Sequence, residues 1–277
     1  MEQIILRIYR FIFLHKIFYK LNYHIYRISL RGIGILNSEG PDVSGENYFL
    51  RKLRKYSILK NILDVGANDG GYSQQLRMYF PKAKIYAIEP HPQTFKRLKA
   101  VTKKNNIHAY NIGLGSTIGT SYLWDFADDA ELKHTQPTST LASGIKDVIE
   151  ELHKQKSKSY KFRMDTLDNF AKKQKIKKID FLKIDVEGNE LAVLQGAVDL
   201  LKTNRILFIQ LEFNEMNAYS RTFFKDFIDT LPDYIFYRIM PRGLYKLDSY
   251  RPSSYEIFAF QNIIAVHKSM GSVIRKF

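Results

Sequence analysis

The chain has 277 residues, 45% of them apolar and 26% charged, which excludes wholesale disorder and allows a full buried core. It has no cysteine, so disulfides, Cys-ligated zinc and thiol catalysis are excluded, and a reducing compartment suits it. Lys and Arg number 43 against 28 Asp and Glu; the resulting net charge of +15 implies an anionic environment such as nucleic acid, an acidic membrane surface or phosphorylated substrates.

Residues 1–45 form a basic, aromatic extension. Arg7, Arg10, Lys16, Lys20, Arg27 and Arg31 interrupt an Ile-, Phe- and Tyr-rich stretch. No secretory signal is visible. The uncharged runs fall far short of the ~20 residues that span a bilayer. Three readings of residues 1–31 follow: peripheral membrane contact, packing on the protein's own core, or a homo-oligomer contact. The apolar positions do not form one clean helical stripe over the whole segment. Residues 46–277 form the second unit, which opens with a helix at Glu46–Tyr56.

From Lys60 onward, short apolar runs alternate with helical periods, the pattern of βαβ units and a mostly parallel sheet. Strands are expected at Asn61–Gly66, Lys84–Glu89, Ile107–Asn111, Phe181–Asp185, Ile206–Glu212, Tyr234–Ile239 and Ile257–His267. Helices are expected at Gly71–Tyr79, His91–Lys103, Thr166–Lys173, Glu190–Leu201 and Tyr219–Asp229. An extra strand at Ser121–Asp125 precedes a polar insertion, about 126–159, read as a lid or acceptor wall, its length also suiting a surface loop, with a helix at Gly144–Lys154.

Two strand ends carry the chemistry. The first runs Asp64-Val65-Gly66-Ala67-Asn68-Asp69-Gly70-Gly71-Tyr72-Ser73. Glycines allow close approach of the backbone to a ligand at the carboxyl end of the sheet. The spacing is neither a dinucleotide fingerprint nor a phosphate loop, and Asp64 favours a ligand with cationic character. About 20 positions later, Glu89-Pro90 ends the next strand, where a carboxylate can bind both hydroxyls of a ribose. Together they fit S-adenosylmethionine, which has a ribose, an ammonium and a sulfonium but no phosphate.

The second is Ile179-Asp180-Phe181-Leu182-Lys183-Ile184-Asp185-Val186-Glu187-Gly188-Asn189-Glu190. Lys183 and Asp185 share a strand face, and charges buried in an apolar strand are rare unless paired or functional. The candidate catalytic residues are Asp185, Lys183 and Glu187, with a carboxylate or Lys183 accepting a hydroxyl proton. Asp185, Glu212 and Asn214 supply oxygen donors for a divalent cation or, in the preferred reading, polar lining of an acceptor pocket. No metal ligands are assigned.

These segments resemble the FkbM family of S-adenosylmethionine-dependent methyltransferases. The matching residues run from Asp64 to Ser73, through Glu89-Pro90, Phe95 and Leu98, Thr166-Leu167-Asp168 and the Ile179–Glu190 segment, to Leu194, Gly196 and Ala197. The resemblance implies a Rossmann-like, seven-stranded class I methyltransferase fold: α/β, a mostly parallel sheet with helices on both faces, here with an N-terminal helical extension. It implies a cofactor set of Asp64, Gly66, Asn68, Gly70, Tyr72, Ser73, Glu89, Pro90, Asn111 and Gly113. Asp64, Gly66 and Asn68 would surround the methionine part and Glu89 the ribose. The segment around Asn111 and Gly113 would flank the adenine without the acidic residue common in other methyltransferases.

The expected function is methyl transfer to a hydroxyl of a saccharide or lipid-linked glycan precursor in surface polysaccharide biosynthesis. The expected location is cytoplasmic, with peripheral contact at the inner face of a membrane. The alternatives are a basic RNA-binding or RNA-modifying protein and a catalytically silent scaffold. No nucleic-acid recognition pattern is present, so no nucleic acid is expected as partner.

Overall fold

The computed structural model describes residues 1–127 and 142–277, apart from the side chain of Glu2. The elements in chain order are α1 (Glu2–Phe13), α2 (Tyr19–Gly32), α3 (Glu46–Tyr56), β1 (Asn61–Val65), α4 (Gly71–Tyr79), β2 (Lys84–Ile88), α5 (Pro92–Asn105), β3 (His108–Tyr110), β4 (Gly113–Leu114), β5 (Gly119–Phe126) and β6 (Ser157–Asp165). They continue with α6 (Leu167–Lys173), β7 (Ile179–Ile184), α7 (Glu190–Gln195), α8 (Val198–Lys202), β8 (Ile206–Phe213), α9 (Met216–Tyr219), α10 (Phe224–Thr230), β9 (Tyr234–Met240), β10 (Gly243–Lys246), α11 (Pro252–Tyr255), β11 (Gln261–His267) and α12 (Gly271–Ile274).

Among the described residues, eight strands form the main sheet in the order β10-β9-β11-β8-β7-β1-β2-β3. From β3 to β8 every neighbouring pair is parallel; β11 is antiparallel to both β8 and β9. Seven of these strands are the expected class I methyltransferase sheet. The eighth, β10, corrects the expected count. Pro241 and Arg242 close a tight hairpin, and β10 pairs antiparallel with β9. With so few apolar residues, this short edge strand carries little hydrophobic signal.

The central strands are buried on both faces, as near-continuous apolar runs demand. Leu63 and Val65 of β1 enter one apolar cluster with Phe170, Leu182 and Ile209. Ile62 enters the other with Phe49, Leu53, Phe181 and Phe208. Asp64 shares the second face, because side chains alternate along a strand.

A second sheet, β4-β6-β5, lies beside the first. The expected insertion at 126–159 falls between β5 and β6. Residues 128–141 of it lie outside the described residues, so the lid reading is not addressed there. The expected helix at Gly144–Lys154 is reduced to a short π-helical turn, Val148–Leu152. Ser143 exchanges two backbone hydrogen bonds with Trp124, which commits the start of that segment to β5. Two other expected helices divide. The one at Glu190–Leu201 breaks at Gly196, whose carbonyl accepts the Asp168 N–H. A Cβ on Gly196 would lie 2.1 Å from the Gly115 carbonyl oxygen, so the close approach requires glycine. The one at Tyr219–Asp229 breaks at Arg221, which is left-handed at φ 54°.

The N-terminal segment consists of two helices separated by the break at 14–18. The break resets the helical phase, which is why no single stripe is visible across the whole segment. Within α1, Ile4, Ile5, Ile8, Phe11 and Ile12 recur at helical spacing and all are exposed. Leu21, Ile25 and Ile28 of α2 do the same. Packing on the core begins only at Leu30, which joins Ile35 and Ala259. Among the described residues, no helix is long and apolar enough to cross a membrane.

Candidate active site

The site lies across the carboxyl ends of β2, β1, β7 and β8. The turn after β1 is shaped by Gly66 at φ 83°, Asn68 at φ 49° and Gly70 at φ 95°. Gly66 is required there: a Cβ would stand 1.7 Å from the Asp185 carbonyl oxygen. The Gly66 and Ala67 N–H groups bond the Ile88 carbonyl, fastening the turn to β2.

Three cavities meet at Gly66. The first, about 310 Å³, is lined by Glu46, Asp64, Gly66, Asn68, Tyr72, Lys183, Asp185 and Glu212, among others. The second, about 100 Å³, includes Gly66, Asn68, Glu89, Pro90, Asp185 and Glu187. The third, also about 100 Å³, is largely apolar and includes Gly66, Ile88, Pro90, Gly113, Phe162 and Met164.

Sheet register sets the charges. Asp64 of β1 stands opposite Lys183 of β7, which stands opposite Gln210 of β8. These three buried polar side chains form one row on one sheet face. Asp64 accepts a 2.5 Å hydrogen bond from Ser73 Oγ. Lys183 donates to Asp185 Oδ2 at 2.9 Å and lies over the Tyr72 ring. Gln210 accepts from the Tyr72 hydroxyl at 2.8 Å and donates to Glu46 Oε1 at 2.7 Å.

Burial pushes the Asp64 carboxyl up to about 6, partly opposed by Ser73 and Lys183. Glu89 is pushed up to about 7 by burial, although the His91 and Asn68 N–H groups favour its charged form. Glu187 and Glu212 rise well above the usual carboxylate range; burial is the main cause and Asp185 adds to it. Burial opposes charge on Lys183, but Asp185, Glu212 and Glu46 outweigh it and hold the ammonium above the usual lysine range. Among the described residues, Glu46, Asp64, Asp185, Glu187 and Glu212 crowd around one ammonium. A cationic ligand relieves that excess of carboxylates, so the donor set fits a sulfonium and an ammonium. Phosphates would meet repulsion there.

Seven of the ten expected cofactor residues line the cavities: Asp64, Gly66, Asn68, Tyr72, Glu89, Pro90 and Gly113. Three do not, and each stands behind the site. Ser73 is spent on Asp64. Gly70 packs towards Leu98, where a Cβ would meet the side chain at 2.9 Å. Asn111 turns its amide to the carbonyls of Glu89 and Pro90, at 2.9 and 3.0 Å, and fixes the end of β2. Asp185, Lys183 and Glu187 come together at the junction of the first two cavities.

Sequence reasoning missed Glu46 and Gln210. Glu46 opens α3, more than a hundred residues from Lys183, and Gln210 sits in the apolar run of β8. Only the register of β7 with β8 brings Gln210 into the row.

A family model described as "Methyltransferase FkbM domain" matches residues 64–237. The chain is similar to "2-O-methyltransferase NoeI" of Sinorhizobium fredii, 22% identical over 66% of this chain and 75% of that protein. It is similar to "Hexuronic acid methyltransferase AglP" of Haloferax volcanii, 25% identical over 61% of this chain and 64% of that one. Among solved structures, an O-methyltransferase from Bacillus cereus in complex with SAH is 12% identical, covers 95% of this chain and 96% of its own, and has a TM-score of 0.42. The match from the first strand end to β9 covers most of the residues that build the three cavities, Glu46 lying outside it, and with it the chain belongs to the FkbM family of S-adenosylmethionine-dependent methyltransferases.

Proposed function

We propose that the chain methylates a hydroxyl of a saccharide, carried on a lipid-linked glycan precursor of a surface polysaccharide, at the cytoplasmic face of a membrane. The observation that carries this reading is the Lys183–Asp185 pair, 2.9 Å apart, at the junction of two cavities on the family's site. The names of the two similar proteins, a 2-O-methyltransferase and a hexuronic acid methyltransferase, support a sugar acceptor. The exposed apolar faces of α1 and α2, with the cations between them, support membrane contact.

Bound S-adenosylmethionine supplies an electrophilic methyl group on a sulfonium. Asp64, Gly66 and Asn68 hold its amino-acid part. Glu89 accepts the ribose hydroxyls. Gly113, with Ile88, Phe162 and Met164, receives the adenine in the apolar cavity. Glu46 and Gln210 brace Tyr72 and close the methionine end. Of the two expected proton acceptors, Asp185 is favoured over Lys183, because the surrounding carboxylates hold Lys183 protonated. Lys183 instead fixes the Asp185 carboxylate, which orients the acceptor hydroxyl and takes its proton. Glu187 keeps its own proton and donates to an acceptor oxygen. Fixing the acceptor hydroxyl between Asp185 and Glu187 would supply much of the rate through orientation.

The test incubates the full chain with methyl-labelled cofactor and extracted lipid-linked glycan, free glycan and RNA fractions. Label is expected in an alkali-stable ether on a lipid-linked saccharide. Label confined to RNA, or in no fraction, overturns the reading.

A further inference from the structure

A cavity of about 560 Å³ lies away from the methyl-transfer site, between the end of α2, the β9–β10 hairpin and the loop that carries α11. Arg238 of β9 lines it and is only 3% exposed. A buried guanidinium ordinarily faces a carboxylate, since an uncompensated buried charge is costly. Here the partners are neutral. Nε donates to Gln261 Oε1 at 3.0 Å and one terminal nitrogen donates to the Ile33 carbonyl at 3.3 Å. Among the described residues, Arg238 has no carboxylate partner, and its second terminal nitrogen, Nη2, has no hydrogen bond.

The position is built rather than incidental. Gln261 is itself fixed, donating to the Ile257 carbonyl at 2.9 Å. Gly34, at φ 86°, lets the chain after α2 pass close over the Arg238 side chain. Besides apolar side chains such as Met240, Leu247 and Ile257, the lining carries the donors Arg251 and Lys246 and the hydroxyls of Ser249, Ser253 and Ser254. The one carboxylate of the lining, Asp248, is already paired with Lys246.

We propose that this cavity is a binding site for a phosphate group, held by Arg238 and Arg251 with the serine hydroxyls. A planar guanidinium presents paired donors that match phosphate oxygens, and charge-assisted bonds of this kind are the strong ones. The cavity is larger than a carboxylate alone would fill. Burial disfavours the charged form of Arg238, and a bound anion reverses that penalty. The helix with the exposed apolar face, α2, ends on the cavity rim at Gly32 and Ile33. A phosphodiester carried by a lipid, whether a headgroup or the link to a glycan, therefore reaches the cavity beside the membrane-facing helices. A soluble phosphate compound satisfies the same chemistry. The phosphate site stands on its own observations; only a lipid source for the phosphate rests on the function proposed above.

The test uses the full chain and reads binding rather than methyl transfer. Sodium pyrophosphate is titrated calorimetrically at constant ionic strength into the wild type, Arg238→Gln and Arg251→Ala with Ser254→Ala. One pyrophosphate per chain is expected, at least about tenfold weaker in each variant, with S-adenosylmethionine affinity unchanged. Arg251 and Ser254 are exposed, so the double variant keeps the test valid if Arg238→Gln does not fold. No pyrophosphate binding by the wild type at about 10 mM overturns the proposal, as does equal binding by the double variant. A second arm sediments the wild type with phosphatidylglycerol vesicles, with and without pyrophosphate. Competition identifies a lipid phosphate as the occupant; pyrophosphate binding without competition identifies a soluble one, and either result keeps the site.

Discussion

Asn68 donates its backbone N–H to the Glu89 carboxylate across 3.0 Å, tying the glycine turn after β1 to the end of β2. The His91 N–H donates to the other carboxylate oxygen at 2.7 Å. Glu89 is therefore oriented before any ligand arrives. Replacing it by alanine removes the ribose acceptor and leaves the Asn68 N–H without its partner. Hydrogen bonds to a charged group are worth ~1.5–3 kcal/mol each, so Glu89→Ala should weaken S-adenosylmethionine binding by at least about tenfold. Calorimetry checks this, with circular dichroism to show that the fold is kept. Unchanged affinity removes Glu89 from the ribose site.

The same carboxylate makes stability depend on pH. In the folded chain Asp64 is raised to about 6 and Glu89 to about 7, from ordinary values of 3.8 and 4.5. Between those limits the folded state binds more protons than the unfolded state, so stability falls as pH rises through that window. For Glu89 the loss over the whole window is on the order of 3 kcal/mol. Denaturant unfolding of the ligand-free protein at about pH 5 and about pH 8 should show it. The Glu89→Gln variant should lose less over that range than the wild type. An equal loss in both proteins means that Glu89 titrates at its ordinary value when folded. S-adenosylmethionine affinity should rise over the same window, as the carboxylates ionise against a cationic ligand.

The exposed apolar faces of α1 and α2 give a separate prediction. Ile5→Asp with Ile8→Asp places two charges in the stripe of α1 without touching Leu30, where packing on the core begins. Fully burying an aliphatic side chain is worth ~1.5–3 kcal/mol, so partitioning onto anionic vesicles should fall at least about tenfold. Cofactor affinity should stay the same. If the double variant sediments with vesicles as well as the wild type, α1 is not the membrane contact. A wild type that elutes as a dimer, and a variant that elutes as a monomer, assigns the stripe to self-association instead.

What could be read from the sequence follows from how local each feature is. The first turn is written contiguously, from Asp64 to Ser73, and α4 begins where the glycines end. Lys183 and Asp185 are two residues apart on one strand, so their meeting needs only the strand period. Gln210 and Glu46 needed the register of β7 with β8 and the seating of α3, which no local pattern carries. Glycine told only part of its own story: Gly66 lines the cavities, whereas Gly70, in the same turn, serves the packing of α4 on α5. The strand β10 escaped because its pairing depends on a hairpin of two residues rather than on an apolar run.

The final prediction concerns Asp185. Its side chain is partly accessible, at 35%, while its partner Lys183 is almost wholly buried, at 4%. The lysine is thus the fixed member and the carboxylate the member that can reach an acceptor. Asp185→Asn keeps the size and a hydrogen bond to Lys183 but loses the proton acceptor. A positioned acid–base group contributes ~10²–10⁴ in rate, so kcat should fall within that range while cofactor affinity changes little. Lys183→Met tests the positioning role. It leaves Asp185 in place but frees its carboxylate, so kcat should fall with little change in KM for the saccharide, the split expected of a residue that orients the base rather than binds the acceptor. If Lys183 were itself the base, its loss would instead abolish the pH dependence set by that group. Glu187→Gln should cost no more than Asp185→Asn, because a glutamine can still donate to the acceptor oxygen. Full turnover in Asp185→Asn, measured with the labelled cofactor and the saccharide fraction that accepts label, would show that the carboxylate only balances the charge of Lys183.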